Sequence, residues 1–330
     1  MTAEQLEQAR KAIVSDNPGA IIFGLKTLGI IGKLTDLQQL MGLIASPNPK
    51  IKQAAIEATT LMIKENLILH FGELDKTTRD KLGTIMQSLD PSILDDISKD
   101  IYGEDEERRL KAVQILGHMR KNPKIKEVLA KLLQDRNVKI RAKAVELIGK
   151  VIGPNDHEVI LQLLNDKDIR VRANSIEALE NLGNKRLVPL LLRFRRDPSN
   201  RIRGNVLKAL YNLGFTEINS DLIEMIQSTN NLMKASAFWV ITQVKIARPE
   251  IIDACGMNLL TNDEMVYRNA KKAVEVIDSP RARGYLKYLA DFMPTVLTAA
   301  PAPPVSAKPV APAAGPGTAA ALAPAEPAKK

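Results

Sequence analysis

The sequence is poor in cysteine, in aromatic residues and in long hydrophobic runs. A single cysteine, Cys255, stands in 330 residues, so no disulfide can close within the chain and no cysteine-based zinc module can be built. That excludes a disulfide-stapled secreted scaffold and points to a reducing compartment. Aromatic residues are 4% of the chain, one Trp, five Tyr and six Phe, which is thin material for the stacking platforms that grip single-stranded nucleic acid. No stretch approaches roughly 18 uninterrupted apolar residues. The N-terminus, MTAEQLEQARKAIV, carries Glu4 and Glu7 early and has no hydrophobic run, unlike a signal peptide. The reading is of a cytoplasmic protein without a membrane span.

What is present is helix-forming apolar residue and charge: 45% of the chain is hydrophobic, 26% is charged, and the formal net charge is +9. The charge is unevenly placed. Residues 101–215 hold 24 Lys plus Arg against 14 Asp plus Glu, whereas residues 61–100 hold 5 against 8. Such an asymmetry attracts anionic partners, and a positive face also serves solubility.

The sequence repeats. KIRAKAVELI from Lys139, RVRANSIEAL from Arg170, RIRGNVLKAL from Arg201 and LMKASAFWVI from Leu232 align at a period of 31 residues, placing Arg141, Arg172, Arg203 and Lys234 in one column. Val145, Ile176, Leu207 and Phe238 form a second column, and Ile148, Leu179, Leu210 and Ile241 a third. Weaker copies surround Ile21, Lys52 and Arg109, a degenerate one surrounds Arg79, and a displaced last copy runs from Arg268 to Ile277. Ahead of the basic column, Val128, Leu129, Leu132 and Leu133, and then Val159, Ile160, Leu163 and Leu164, recur at helical spacing. Each unit therefore reads as a helix pair joined by a polar turn, such as Asp135-Arg136-Asn137 or Asp166-Lys167-Asp168, whose residues cap helices.

Helix pairs of this length cannot bury both apolar faces alone, so they stack. The fold expected is all-α, an alpha solenoid of about eight stacked helix pairs over residues 1–298. At roughly 8 to 10 Å per packed helix it would be a curved rod. Residues 299–330 differ, with 13 Ala, 8 Pro and no aromatic residue, and are expected to form a disordered Ala/Pro-rich tail. There Pro301-Ala302-Pro303-Pro304 could sample polyproline geometry.

These units resemble HEAT repeats, and the short period is similar to the subclass first named for bilin lyases. The family pattern, an Asp in the intra-unit turn followed by Val-Arg-x-x-Ala at the start of the second helix, is matched by Asp135, Ile140, Arg141 and Ala144. Asp166, Val171 and Arg172 match it too, with Ser175 in place of Ala. The resemblance is closest over residues 124–215; in the unit at 101–123, Arg108 replaces the apolar residue before the family Arg. It implies a protein-binding solenoid in which Arg141, Arg172 and Arg203 link turn carboxylates of neighbouring units and are structural. Some helical-repeat relatives are bilin lyases and some are DNA glycosylases; the first has no support here beyond the repeat class, and the second would need an aromatic-lined basic cleft, for which Trp239 is the one tryptophan.

A second basic column is the candidate site. Lys139, Arg170 and Arg201 open their second helices, where the helix dipole disfavours a cation by about 0.3 to 1 kcal/mol. With Arg136 and Lys167 in the adjoining turns they form a ridge about 20 Å long, an anion-facing surface or simply a solvated flank. Arg193, Arg195 and Arg196 are the densest basic cluster. Arg195 stands where other units have Leu133, Leu164 and Ile226, so it either snorkels over the unit edge or marks a ligand-adapted surface.

Catalytic patterns are weak. His70, His118 and His157 lie far apart without metal-ligand spacing, Cys255 reads as a core residue, and Gly29-Ile30-Ile31-Gly32-Lys33 lacks the first glycine, the Ser or Thr and the preceding strand of a phosphate loop. The expectation is a non-catalytic scaffold, without cofactor or metal, that binds a protein with an acidic surface through the ridge. Nucleic-acid binding, glycosylase-like at the extreme, is the alternative.

Overall fold

The structure is a computed structural model that describes residues 3–119, 122–153 and 155–292; the expected tail at 299–330 lies outside the described residues. Among the described residues there are eighteen α-helices and no strand. Eight pairs follow one another. They are α1 (Ala3–Ala12) with α2 (Pro18–Ile31), α3 (Leu37–Leu43) with α4 (Pro49–His70), and, after the inserted α5 (Lys76–Leu89), α6 (Ile93–Ile101) with α7 (Glu106–Leu116). Next come α8 (Pro123–Leu132) with α9 (Val138–Ile148), α10 (Glu158–Leu161) with α11 (Ile169–Asn181), and α12 (Val188–Leu192) with α13 (Asn200–Asn212). The array closes with α14 (Asn219–Ile226) and α15 (Asn231–Val244), α16 (Pro249–Met257) and α17 (Glu264–Val276), then α18 (Pro280–Phe292). Short 3-10 turns extend or replace part of several first helices, as at Gln162–Asn165 and Lys185–Leu187.

Local chemistry sets the helix starts. The side chains of Asn17, Asn48, Asn137, Asp168, Ser199, Asn230 and Asp263 accept hydrogen bonds from the first free backbone N–H groups of their helices. Proline in the first turn of α2, α4, α8 and α16 presets the backbone angle where no hydrogen-bond donor is needed.

The second helices form one layer, each packed on the next, and the first helices form the other. The second helices share a quartet of positions spaced i, i+4, i+7, i+8, buried in every one but α7, beside further buried residues such as Val145, Leu207 and Phe238. In α9 the quartet is Ile140, Ala144, Leu147 and Ile148; in α13, Ile202, Val206, Ala209 and Leu210; in α15, Met233, Ala237, Val240 and Ile241. The same quartet in α17 is Val266, Ala270, Ala273 and Val274, a shift of 33 residues from α15. That shift places Tyr267, rather than Arg268, in the basic column of the last unit. In α2 the quartet is Ile21, Leu25, Leu28 and Gly29, with Ile22 where the helices from α4 to α15 carry a cation.

Two joints depart from the sequence reading. The expected unit around Arg79 is instead the lone helix α5, packed on α4, with the Arg79 guanidinium 4.4 Å above the Phe71 ring and donating to the Phe71 carbonyl at 3.2 Å. A 22-residue α4 runs through the stretch where a turn was needed to make a further pair. Arg108 fills the first slot of the α7 quartet. It donates twice to Glu65, at 3.0 and 2.7 Å, and once to Asp100 at 2.7 Å, while the buried Lys64 lies 3.1 Å from Asp100. An ionic cluster thus stands where other joints are apolar, and beside it the buried core divides between Met62 and Ile63 of α4.

Two devices fix the spacing of the other joints. Small residues let the second helices approach: a Cβ on Gly149 would stand 2.6 Å from Ala178 Cβ and 2.9 Å from Ala178 Cα. Arginines then pin the register. Arg141 donates to both carboxylate oxygens of Asp166 in the next unit, at 2.9 and 3.1 Å, and to the carbonyl of Asp135 in its own turn at 2.8 Å. Arg109 reaches Asp135 in the same way. Arg172 donates to the carbonyls of Asp166 and Lys167, at 2.7 and 3.1 Å, whereas Arg203 turns to Glu224 at 3.0 Å. The link implied by the resemblance is therefore seen at Arg141, whereas Arg172 holds only carbonyls of its own turn and Arg203 reaches Glu224 of the following helix α14 rather than a turn carboxylate.

Burial works against ionisation of Asp166, but the Arg141 guanidinium and the Asp168 N–H outweigh it and hold the carboxyl below its usual range. Its contribution is present above the unfolded-chain pKa of about 3.9 and fades as pH falls through the lower folded value. Asp166→Asn should cost about 2 kcal/mol at neutral pH and flatten the loss of stability below pH ~4, both read by urea titration across pH; equal slopes in variant and parent would contradict the assignment. Gly149→Ala should cost about 1 to 3 kcal/mol through overpacking against Ala178. Gly42→Ala, whose Cβ meets nothing within 4 Å, should be neutral or stabilising by up to about 1 kcal/mol, checked by thermal melts of the two variants side by side.

Candidate partner-binding surface on the second helices

Capping geometry gives the basic column a common position. Counting from caps Asn137, Asp168 and Ser199, the residues Lys139, Arg170 and Arg201 are each second in their helices, and all three are exposed. They are not electrostatically equal. Arg170 forms a two-point pair with its own cap, Asp168, at 3.2 and 3.1 Å. That pair pushes the guanidinium pKa up and pulls the carboxyl down, the side-chain hydrogen bond being the main cause of both. Lys139 follows a neutral cap and makes no ion pair among the described residues, and Arg201 donates to the neutral Asn174 Oδ1 at 3.4 Å. Arg136 and Lys167 project from the preceding turns, whose carbonyls are held by Arg141 at 3.3 Å and Arg172 at 3.1 Å.

The cluster after α12 splits. Arg193 and Arg196 are exposed in the turn leading to α13. Arg195 is a correction to the expected surface set: its Nε donates to the buried Asp221 at 2.6 Å, its Nη2 to the Glu217 carbonyl at 3.2 Å, and its guanidinium lies over Phe215 at 5.7 Å. The charge is spent tying one unit to the next, which a Leu in that column could not do. Phe194 beside it packs against the core.

Beyond α13 the second helix position changes chemistry, a feature the sequence reading missed. In α15 it is Leu232, 55% exposed, and in α17 it is Met265, 38% exposed. Trp239, two turns along α15 from Leu232, is 37% exposed. Between Arg201 and Trp239 an open depression of about 370 Å³ crosses α11, α13 and α15, lined also by Glu177, Asn200, Gly204, Asn205 and Ser236. Its floor is ordered: Asn205 donates to the Ala173 carbonyl at 3.1 Å and Asn200 to Ser236 Oγ at 2.8 Å. Lys208, 3.1 Å from Glu180, sits 5.4 Å from the centre of the Trp239 ring.

The described residues assemble no catalytic set. His70 pairs with Glu73 at 3.0 Å and His118 with Asp80 at 2.6 Å, the latter with its ring tilted against Phe71. Burial of Cys255 pushes its thiol up to about 12, far from a thiolate at neutral pH. No group of three or more His, Cys, Asp or Glu could hold a metal among the described residues. The glycines of the loop-like Gly29–Lys33 stretch belong to the end of α2, where Gly29 lies against Ala58. No described helix is long and apolar enough to cross a membrane.

Comparison with curated protein sequences gives no match. Residues 157–242 match the family described as HEAT repeats. Among solved structures, the karyopherin Kap121p bound to the extreme C-terminus of the protein phosphatase Cdc14p aligns over 89% of this chain and 40% of its own, at 13% identity and a TM-score of 0.49. The complex of CpcE and CpcF of phycocyanin lyase from Nostoc sp. PCC7120 aligns over 77% of this chain and 94% of its own, at 13% identity and a TM-score of 0.42. A designed armadillo repeat protein aligns over 56% of this chain and all of its own, at 16% identity and a TM-score of 0.33. The chain spans about two-fifths of the length of the karyopherin structures it matches. With one quartet of positions running through its second helices from α2 to α17, this chain is an alpha solenoid, and the stretch from 157 to 242, across α11, α13 and α15, matches HEAT repeats.

Proposed function

We propose that the protein is a non-catalytic scaffold of the cytoplasm that binds the acidic surface of a protein partner through the exposed side of its second helices. The observation that carries this reading is the column of Lys139, Arg170 and Arg201. It places cations at the positive end of three successive helix dipoles, and among the described residues Arg170 pairs with Asp168 while Lys139 and Arg201 form no ion pair. Arg136, Lys167, Arg193 and Arg196 add charge to the same run of turns. A rigid stack holds such groups at fixed intervals, so a partner engages several at once; long-range charge then sets the rate of approach and local contacts set the lifetime. Arg195 has no part in it.

Nucleic acid is the second reading, favoured by the excess of ten positive charges over residues 101–215. Against it stand a solitary tryptophan and a ridge that would neutralise about five phosphates, so binding would be weak and steeply salt-dependent.

The triple reversal Lys139→Glu, Arg170→Glu, Arg201→Glu should leave the helical circular dichroism unchanged and lower partner capture at least about tenfold. Among single reversals, Lys139 and Arg201 should matter more than Arg170, whose charge is shared with Asp168. Undiminished capture by the triple variant contradicts the proposal. Anisotropy titrations with generic duplex DNA and single-stranded RNA at two salt concentrations separate the second reading: tight, salt-steep binding supports it, and flat titrations leave the scaffold.

A further inference from the structure

The position that carries Lys139, Arg170 and Arg201 carries Leu232 and Met265 in the next two second helices. Both are exposed, as is Trp239 on the same side of α15 as Leu232. In earlier units the slots equivalent to Leu232 and Trp239 are charged: Arg201 and Lys208 on α13, Arg170 and Glu177 on α11, Lys139 and Glu146 on α9. The strip of surface along the row of Leu232 is therefore basic along α9, α11 and α13 and aliphatic on α15 and α17, whereas the row of Trp239 carries Glu146, Glu177 and Lys208 before it and the exposed Lys272 after it. The change falls at the depression between Arg201 and Trp239.

We propose that this strip is a bipartite docking site for an extended peptide segment of a partner protein, acidic at the end lying over α9 to α13 and aliphatic at the end lying over α15 and α17. The proposal rests on the scaffold reading above and adds to it an apolar anchor, a polarity and a length. Five helices at roughly 8 to 10 Å spacing put the ends of the strip some 32 to 40 Å apart. An extended chain advancing about 3.3 Å per residue covers that span with about 10 to 12 residues. The cations select the sign of one end, because Lys139 and Arg201 form no ion pair among the described residues. Leu232 and Met265 select the chemistry of the other, since covering their exposed methyl and methylene groups removes apolar surface from water. The groove between is polar, and its Asn205 and Ser236 side chains are held in place by Ala173 and Asn200, so a backbone crossing there meets ordered hydrogen-bonding groups. Glu177 is the carboxylate lining that groove, and it opposes an acidic ligand. A nucleic acid strand would use the cations but has no aliphatic group to set on Leu232 and Met265.

Trp239 is the sole tryptophan of the chain, so intrinsic fluorescence of the full-length protein reports on the apolar half without a label. The probes are synthetic peptides of about 12 residues: one with an acidic half followed by a leucine-bearing half, one with Ser for the leucines, one with Gln for the acidic residues, and one with the halves reversed, with duplex DNA alongside. One of the two bipartite orders should bind at least about tenfold more tightly than either half-substituted peptide and shift Trp239 emission to the blue. Leu232→Asp with Met265→Asp should abolish that gain, with helicity unchanged because an acidic residue suits the first turn of a helix; Glu177→Gln should tighten binding. Acidic peptides that bind equally with leucine or serine, with Trp239 emission unmoved, overturn the anchor and leave the scaffold reading standing. Peptides that bind equally with Gln in place of the acidic residues, or not at all, overturn both. Duplex DNA that binds more tightly than any peptide and shifts Trp239 equally replaces the peptide by nucleic acid.

Discussion

A short amphipathic helix pair has two apolar faces and can bury one of them against itself. The other must be covered by a neighbour, and everything in this molecule follows from how that cover is supplied. Every second helix but α7 buries the positions i, i+4, i+7 and i+8, such as Ile202, Val206, Ala209 and Leu210. They form a stripe too wide for one partner helix, so the stripe is shared between the first helix of the same unit and the second helices on either side. Stacking along one axis is the arrangement that satisfies every unit alike. It also leaves one side of every second helix in water, which is where a binding surface can evolve without disturbing the core.

Apolar stripes slide, so register needs directional contacts. Arg141 supplies one by spanning from its own turn to Asp166, and side-chain amides supply others at the repeat interval: Asn174 donates to the Ala142 carbonyl at 2.9 Å and Asn205 to that of Ala173 at 3.1 Å. Such charge-assisted and buried hydrogen bonds hold the turns at fixed intervals. The exception is the joint of α4 with α7, where Arg108, Glu65, Lys64 and Asp100 replace an apolar slot and the core is interrupted. Geometry there is held by electrostatics rather than by packing, and the inserted α5 covers the gap.

The fold was legible in the sequence because its cause is periodic. A 31-residue period, three columns in phase and an Asp, Asn or Ser before each second helix suffice to infer stacked pairs, and both apolar columns, those of Val145 and Ile148, are buried. What was not legible lacked the period. The segment around Arg79 carries a basic residue in an apolar setting, which mimics the column, yet α4 continues for 22 residues with no breaker and takes the place of a turn. Arg195 looked like surface charge because its partner, Asp221, lies 26 residues away and outside any repeated column. The apolar continuation of the ridge was hidden by two extra residues before α17. Met265 aligns with Leu232 only once burial, rather than the basic residue, sets the register. Arg170 shows the same limit from the other side: position marked it as a ridge cation, and only geometry reveals that Asp168 already shares its charge.

The most direct test of the stacking account is native-state amide hydrogen exchange on the chain with Leu210→Ala, a core truncation in α13 expected to cost about 2 to 5 kcal/mol. Stability built from unit and nearest-neighbour terms predicts protection lost most in α13, less in α11 and α15, and hardly at all in α2 and α4. A uniform loss from α1 to α18 would show that the chain unfolds as one globular unit and would contradict the account.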